Sequence, residues 1–203
     1  MPAECTSATG IPIHPIFTRP IARAQALARQ GLTGDRPIVL QLAGGFGVGP
    51  IEAIYRAILA ARSPIELVVV AGRNEAAKSG LERLAVPAAH KVKIIGFTHE
   101  IHELMAVADL VVSKPGGLTT SEVLASGAAI MIVNPIPGQE SRNSDYLLEN
   151  GAAVKVNNLA TLTLKLERLL DTPERLATLK ANARALARPQ AAYDIARWAL
   201  GHF

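Results

Sequence analysis

The stretch Ser113–Asn143, SKPGGLTTSEVLASGAAIMIVNPIPGQESRN, decides the fold of this chain. An apolar segment (Leu110–Val112) leads into its glycine pair. A second apolar segment (Ile130–Val133) leads into its PIPGQE turn, and a helix is predicted between them from Thr119 to Ser126. Short apolar runs separated by a helix are typical of parallel strands in an open α/β sheet. Ligands bind such sheets at the carboxyl ends of the strands, so the two loops are expected to share one site.

The loop at Gly116 and Gly117 has the features of a phosphate site. Glycine lets the backbone approach a ligand closely. The helix that follows presents free N–H groups and the positive end of its dipole, both of which favour a bound phosphate. We therefore expect a phosphate-binding loop after Leu110–Val112.

A second glycine-rich turn, Gly44–Gly49, follows a predicted strand. It is not a Walker loop, because Pro50 stands where the phosphate-binding lysine would be. Its glycine spacing also departs from the dinucleotide fingerprint, so a conventional NAD site is not expected. Two interpretations stay open: a tight turn that packs helix on strand, or backbone contact with a substrate phosphate or sugar.

Strands and helices alternate along the chain. The predicted strands are Ile38–Ala43, Glu66–Ala71, Val92–Ile95, Leu110–Val112, Ile130–Val133 and Ala152–Val156. The predicted helices are Ile21–Gln30, Pro50–Arg62, Asn74–Leu84, Ile101–Val107, Thr119–Ser126 and Ser141–Glu149, with helices from Leu159 onward that break near Asp171–Pro173 and at Pro189. This pattern predicts an α/β fold, a Rossmann-like doubly wound parallel sheet. Residues 1–20, with four prolines, predict a linker, and residues 21–203 a single domain with C-terminal helices.

Composition excludes several classes of protein. Hydrophobic residues make up 49% of the 203 residues, yet no apolar run approaches the roughly 20 residues of a membrane span. Residues 1–10 lack the apolar core of a signal peptide, and Cys5 is the single cysteine, so a reducing cytosol is expected. The net charge of +4 comes with only 4% aromatic residues, so no nucleic-acid partner is predicted.

Three polar groupings each have a structural and a functional interpretation. Thr119 and Glu122 match a capping box, but the Glu122 carboxylate is also suited to a ribose diol. Gln139, Glu140 and Asn143 form either a polar turn capped by Ser141 or a set that reads sugar hydroxyls. The string His99-Glu100-Ile101-His102 is one residue short of HExxH, so surface histidines and no metal site are expected.

Two segments resemble a known family. Lys114–Glu122 (KPGGLTTSE), together with Pro135–Glu140 (PIPGQE) and Asn143, is similar to the donor-binding half of MurG-like glycosyltransferases. The likeness is greatest to the branch with monogalactosyldiacylglycerol synthase and processive diacylglycerol glucosyltransferases. Thr9–Ile13 resembles the segment where that family's chain crosses from its first domain to its second. The resemblance covers roughly Thr9 to Leu170.

The resemblance implies one half of a GT-B fold, in which two Rossmann-like domains face each other across a cleft, and it implies a set of donor-binding residues. Gly116, Gly117 and Thr119 would hold the donor diphosphate, with Gly45 and Gly47 facing the phosphates or the acceptor. The other implied contacts are Glu122 to the ribose, Phe97 and Ile101 to the uracil, and Gln139, Glu140 and Asn143 to the hexose.

The implied function is that of the UDP-hexose-binding domain of an inverting glycosyltransferase, which moves a hexose to a lipid-linked acceptor such as diacylglycerol. The catalytic base and acceptor site belong to the family's N-terminal domain, so no base is assigned here, and the 203-residue chain alone is expected to be inactive. No cofactor is implied, and the sequence lacks an Asp-x-Asp pair that would hold a metal.

Two alternatives stay open: a UDP-N-acetylhexosamine epimerase-like enzyme, and a stand-alone UDP-sugar-binding subunit that needs a separate acceptor-domain partner. The family's chemistry implies a cytoplasmic protein, peripheral at the inner face of the cell membrane. An apolar stripe on the last helix predicts self-association; its residues are Ala192, Ile195, Ala196, Ala199 and Leu200.

Overall fold

A computed structural model describes residues 6–44 and 49–201, apart from the side chain of Gln139. All six predicted strands are present: β1 (Ile38–Leu42), β2 (Glu66–Val70), β3 (Lys91–Ile95), β4 (Leu110–Ser113), β5 (Ala129–Val133) and β6 (Ala153–Val156). Neighbouring strands pair in parallel in the order β3-β2-β1-β4-β5-β6. The predicted Rossmann-like parallel sheet is confirmed.

Helices follow the strands as the alternation predicts. They are α1 (Arg23–Gln30), α2 (Ile51–Leu59), α3 (Glu75–Glu82), α4 (Ile101–Val107), α5 (Gly117–Ser126), α6 (Gln139–Glu149), α7 (Leu162–Leu170), α8 (Pro173–Leu186) and α9 (Ala191–Gly201). Short 3-10 turns lie at Pro15–Thr18 and Leu159–Thr161. The breaks predicted near Asp171–Pro173 and at Pro189 separate α7, α8 and α9, because proline cannot continue a helix that precedes it.

Both faces of the sheet are buried. Successive side chains of a strand point to opposite faces, so Val39 packs in one core with α2, α3 and α7, whereas Ile38 and Leu40 pack in a second core with α1, α4, α5 and α6. This double burial explains why the central strands β4 and β5 are largely continuous apolar runs, whereas the edge strands β3 (KVKII) and β6 (AVKV) carry lysines.

The strand order reverses between β1 and β4. The chain leaves β1 through α2 toward one face and leaves β4 through α5 toward the other. Ligands of doubly wound sheets bind in the crevice that opens at such a reversal, outside the carboxyl ends of the strands. The two loops named from the sequence therefore end at the place where the topology forms a crevice.

Two helices begin earlier than the sequence predicts. Helix α5 starts at Gly117 rather than Thr119, because Gly116 takes the extended N-cap conformation and its carbonyl accepts the Thr120 N–H at 2.8 Å. Helix α6 starts at Gln139 rather than Ser141, because Gly138 adopts a φ of 95° that turns the chain into the helix. Both helices have glycine as the N-cap residue, and glycine has no side chain from which a helix start can be predicted.

The last helix is the least covered. Tyr193, Ile195, Trp198 and Leu200 are exposed, Leu200 to 82%. The predicted self-association through this helix stays a prediction, as does the domain boundary at residue 20. No helix in the described ranges is long and apolar enough to cross a bilayer.

Asp109 joins three elements at the amino edge of the sheet. Its carboxylate accepts the Ile38 N–H of β1 at 3.0 Å, Lys180 Nζ of α8 at 2.9 Å and an Arg23 guanidinium N–H of α1 at 3.3 Å. Burial acts to raise the pKa of this carboxyl. The hydrogen bonds from Ile38 and Lys180, with the charges of Lys180 and Arg23, outweigh the burial and bring its pKa below the ordinary value.

Replacing Asp109 by Asn is therefore expected to lower the free energy of unfolding at pH 7 by roughly 1–2 kcal/mol, since charge-assisted hydrogen bonds become neutral ones. A lowered pKa stabilises the fold above the unfolded-state value near 4 and loses that contribution as pH falls through the folded value. The gap between wild type and Asp109→Asn should accordingly close in acid. Urea denaturation at pH 7 and at pH 3–4 measures both effects. The exposed Asp145→Asn serves as control, and an equal gap at both pH values would contradict the assignment.

Candidate functional site

A cleft of about 220 Å³ opens where the strand order reverses. Its described walls are the end of β1 with the start of α2, the residues that follow β4, and the residues that follow β5. The last two walls contribute Ser113, Lys114, Gly116, Thr119, Val133, Asn134 and Glu140. The cleft thus joins the two loops that the sequence predicts to share a site.

Three helices direct their amino ends toward this cleft. Helix α2 begins after Pro50, α5 after Gly116 and α6 after Gly138, and no side chain of the described residues caps any of the three by a hydrogen bond. The first N–H groups of a helix have no partner within the helix, and its dipole places partial positive charge there. The cleft is therefore built to receive an anion.

The glycine pair allows close approach at the start of α5. A Cβ added to Gly116 would lie 3.8 Å from Glu140 Oε1, and one added to Gly117 would lie 3.0 Å from Ile11 Cδ1. Side chains at these positions would narrow the space in front of the helix N-terminus. Thr119, in the first turn of α5, lines the same cleft.

The capping-box interpretation of Glu122 is wrong. The N-cap is Gly116, so Thr119 lies inside the helix, where its side chain cannot cap the first turn. Glu122 is half-buried, burial raises the pKa of its carboxyl, and no hydrogen bond to this carboxylate is present among the described residues. A poorly solvated carboxylate without a partner is available to a ligand that carries donors.

The loop after β5 is held by its own polar side chains. Glu140 Oε2 accepts the Ile136 N–H at 2.6 Å, and Asn143 Nδ2 donates to the Pro115 carbonyl at 2.8 Å. Asn143 thereby ties α6 to the loop that precedes the glycine pair. Gln139 begins α6, but its side chain lies outside the described part of the chain.

The remaining predicted residues lie away from the described cleft lining. Phe97 follows β3 and is 48% exposed, with the Arg73 guanidinium 5.0 Å from its ring centroid. Ile101 begins α4, which packs against α5. Gly45 and Gly47 lie outside the described residues. The structure thus brings Gly116, Thr119 and Glu140 together in one cleft and places Gly117 and Asn143 in an adjoining cavity of about 210 Å³. Glu122, Phe97 and Ile101 line neither of the two cavities.

Sequence reasoning assigned no role to four polar residues of the described cleft lining: Gln41, Ser113, Lys114 and Asn134. Gln41 is buried, and its Nε2 donates to the Ile51 carbonyl at the start of α2. Asn134 takes a positive φ of 44°, which is uncommon outside glycine. Lys114 belongs to the quoted KPGG motif. Each lies within the last two residues of a strand or directly follows one. That position at the carboxyl edge of the sheet was the available signal.

One group with metal-ligand spacing occurs in the described residues, Glu100, His102 and Glu103. Glu103 already accepts hydrogen bonds from Arg29 and Gln30, both at 2.8 Å. These contacts join α1 to α4, which is a structural role.

The glycosyltransferase family 28 C-terminal domain matches residues 51–196, well over half of the chain. The chain belongs to the glycosyltransferase family 28 C-terminal domains. Among curated relatives of this family 28 domain, the processive diacylglycerol beta-glucosyltransferase of Bacillus pumilus (strain SAFR-032) is 32% identical over 179 residues. That match covers 88% of this chain and 46% of the relative, so the chain spans about half the length of that protein.

Solved structures agree on the fold of this family 28 domain. MurG from Acinetobacter baumannii has a TM-score of 0.70 at 21% identity, over 88% of this chain and 53% of that one. WaaG, a glycosyltransferase involved in lipopolysaccharide biosynthesis, has a TM-score of 0.72 at 20% identity, over 94% and 54%. The predicted resemblance and the fold of one GT-B half are confirmed.

Asn143 should stabilise this domain even without a ligand. Its bond to Pro115 spans 28 residues of sequence and is half-buried, so Asn143→Ala is expected to cost roughly 1–2 kcal/mol of unfolding free energy. Asn150→Ala is the matched control, because Asn150 makes an exposed amide-to-carbonyl bond of the same 2.8 Å length within α6. Urea denaturation compares the two. Equal stability of wild type and Asn143→Ala would leave Asn143 with a ligand role alone.

Proposed function

We propose that this chain is the UDP-hexose-binding domain of an inverting glycosyltransferase. The observation that carries the proposal is that three helices begin at the cleft formed by the strand-order reversal, and no described side chain caps their amino ends. Gly116 lines this cleft, and Gly117 lies in the adjoining cavity. The diphosphate of a nucleotide sugar matches this arrangement. It is a narrow, negatively charged group, and glycines let the protein backbone approach it closely. Gly116, Gly117 and Thr119 hold the diphosphate, and Gly45 and Gly47 face it or the acceptor.

The nucleoside lies on the α4–α5 side of the cleft. Glu122, one turn beyond Thr119, accepts hydrogen bonds from the ribose diol, and its unpartnered, half-buried carboxylate supports this role. Phe97 and Ile101 line the uracil. The partial exposure of Phe97 and the position of Ile101 at the start of α4 support this placement.

The hexose lies toward the loop after β5. Glu140 borders the cleft, and Gln139 and Asn143 share the first turns of α6 with it. Carboxylate and amide groups match the donors and acceptors of sugar hydroxyls. In this proposal Asn143 binds the sugar and also fixes the loop at Pro115 through its hydrogen bond to the Pro115 carbonyl.

The reaction is a single displacement at the anomeric carbon. The acceptor hydroxyl oxygen bonds to that carbon while its bond to the β-phosphate oxygen breaks, and the electron pair of that bond leaves with UDP. The hydroxyl proton passes to a carboxylate or imidazole base in an N-terminal acceptor domain. Helix N-termini aimed at the diphosphate stabilise the charge that develops on the leaving group.

The acceptor and its domain belong to the complete protein. The Bacillus pumilus relative is named for diacylglycerol and glucosyl transfer, and we extend this to a lipid acceptor at the inner face of the cell membrane for this chain. The 203-residue chain alone binds donor but transfers no sugar. This holds whether the acceptor domain belongs to a longer polypeptide that includes these residues or to a separate partner. Turnover on diacylglycerol micelles by this chain alone would overturn that statement.

The exposed apolar face of α9 packs against the acceptor domain or against a second copy of this chain.

Glu122 tests the proposal directly. Calorimetry should show that the unchanged chain binds UDP and that Glu122→Ala weakens this binding by roughly 1–3 kcal/mol, since two ribose hydroxyls lose a charged acceptor. UDP affinity should also fall as pH drops through the raised pKa of Glu122, because the protonated carboxyl accepts poorly. Glu149→Ala, an exposed change in α6, is the control. Unchanged UDP binding by Glu122→Ala would remove the ribose role, and no binding by the wild type would remove the proposed function.

Gln139 tests where sugar preference lies. Gln139→Ala is expected to lower affinity for UDP-hexose by roughly 1 kcal/mol and to leave UDP nearly unaffected, because only the hexose hydroxyls lose a partner. Parallel titrations with UDP and UDP-glucose measure the difference. An equal loss for both ligands would show that the start of α6 only shapes the cleft.

A further inference from the structure

Lys114 is a cleft residue to which the proposed function gives no role. It follows β4 directly, and its side chain reaches across the cleft to the turn after β1. A Cβ placed on Gly49 would lie 3.6 Å from Lys114 Cε and 3.8 Å from Lys114 Nζ. The ammonium group therefore lies on the wall opposite the amino end of α5.

The ammonium group of Lys114 has no protein partner in the described ranges. Lys155 also has no described partner but lies outside this cleft, whereas Lys91 pairs with Asp35, Lys180 pairs with Asp109, and Lys93 and Lys165 donate to backbone carbonyls. The other charged side chain in the described lining is Glu140, and its carboxylate is bound to the Ile136 N–H. A half-buried cation without a partner is unfavourable unless a ligand supplies the counter-charge.

The charges around the cleft can be compared with the charge of a bound diphosphate. Each helix N-terminus contributes about half an elementary charge, and Lys114 adds a full one. The diphosphate of a nucleotide sugar carries two negative charges, so three helix dipoles, about 1.5 charges in all, leave part of it uncompensated. The Glu140 carboxylate in the same lining increases that deficit. The sequence holds no Asp-x-Asp pair, so the chain's own cation is the available complement.

We propose that Lys114 binds the donor diphosphate, with its ammonium group contacting phosphate oxygens from the side opposite the amino end of α5. This rests on the proposed function. The anion would then lie between the N–H groups of Gly116–Gly117 and the Lys114 ammonium. Gly49 has no side chain to obstruct the lysine at that wall.

The experiment titrates UDP and uridine into the 203-residue chain, its Lys114→Met and Lys114→Arg variants, and Arg175→Met as a control that removes one exposed positive charge from α8. Lys114→Met is expected to weaken UDP roughly 10- to 100-fold, as loss of a charge-assisted contact does, while uridine binding stays unchanged. Lys114→Arg should keep most of the affinity. Added salt should weaken UDP less in Lys114→Met than in wild type, because one screened pair is absent.

Two results would overturn the proposal while leaving the proposed function intact. One is UDP affinity of Lys114→Met within twofold of wild type. The other is an equal loss of UDP and uridine, which would mean that the lysine supports the shape of the cleft rather than the phosphates. A wild-type chain that binds neither UDP nor UDP-glucose would overturn both proposals together.

Discussion

The reversal of strand order between β1 and β4 is the constraint on which the rest of the structure depends. The chain must leave these adjacent strands toward opposite faces of the sheet, through α2 and α5. No helix can then cover the carboxyl ends of both strands, and a crevice forms between them. The cleft is thus a consequence of topology, and the residues after β1, β4 and β5 decide what it binds.

Those residues give the cleft features that favour a bound anion. Each helix that borders the cleft begins after proline or glycine, and no described side chain caps its first N–H groups, although the Ile51 N–H of α2 donates to the Gly49 carbonyl. Lys114 adds a cation from β4, and Asn143 fixes the loop between them by its bond to the Pro115 carbonyl. A site with its dipoles already oriented loses little free energy to reorganisation when charge arrives or develops. The same uncapped groups cost stability in the empty domain, and anchors such as Asp109 at the opposite edge offset that cost.

Sequence patterns predicted the strands well, because continuous apolar runs such as Ile130–Val133 leave no alternative to a buried parallel strand. They failed at the starts of α5 and α6, where glycine caps decide the boundary and a matching capping box at Thr119 misled. The site was predictable at Gly116 and Glu140, which adjoin strand ends. The bond from Asn143 to Pro115 and the unpartnered state of Lys114 were not, since both depend on residues that are distant in sequence.

A crystal structure of this chain with UDP-glucose tests the central claim most directly. The account predicts the diphosphate against the N–H groups of Gly116 and Gly117 in the cleft formed by the strand-order reversal, the ribose hydroxyls on Glu122, and the glucose toward Gln139 and Glu140. Nucleotide bound outside that cleft, or bound with its ribose toward α6 and its sugar toward α4, would contradict it.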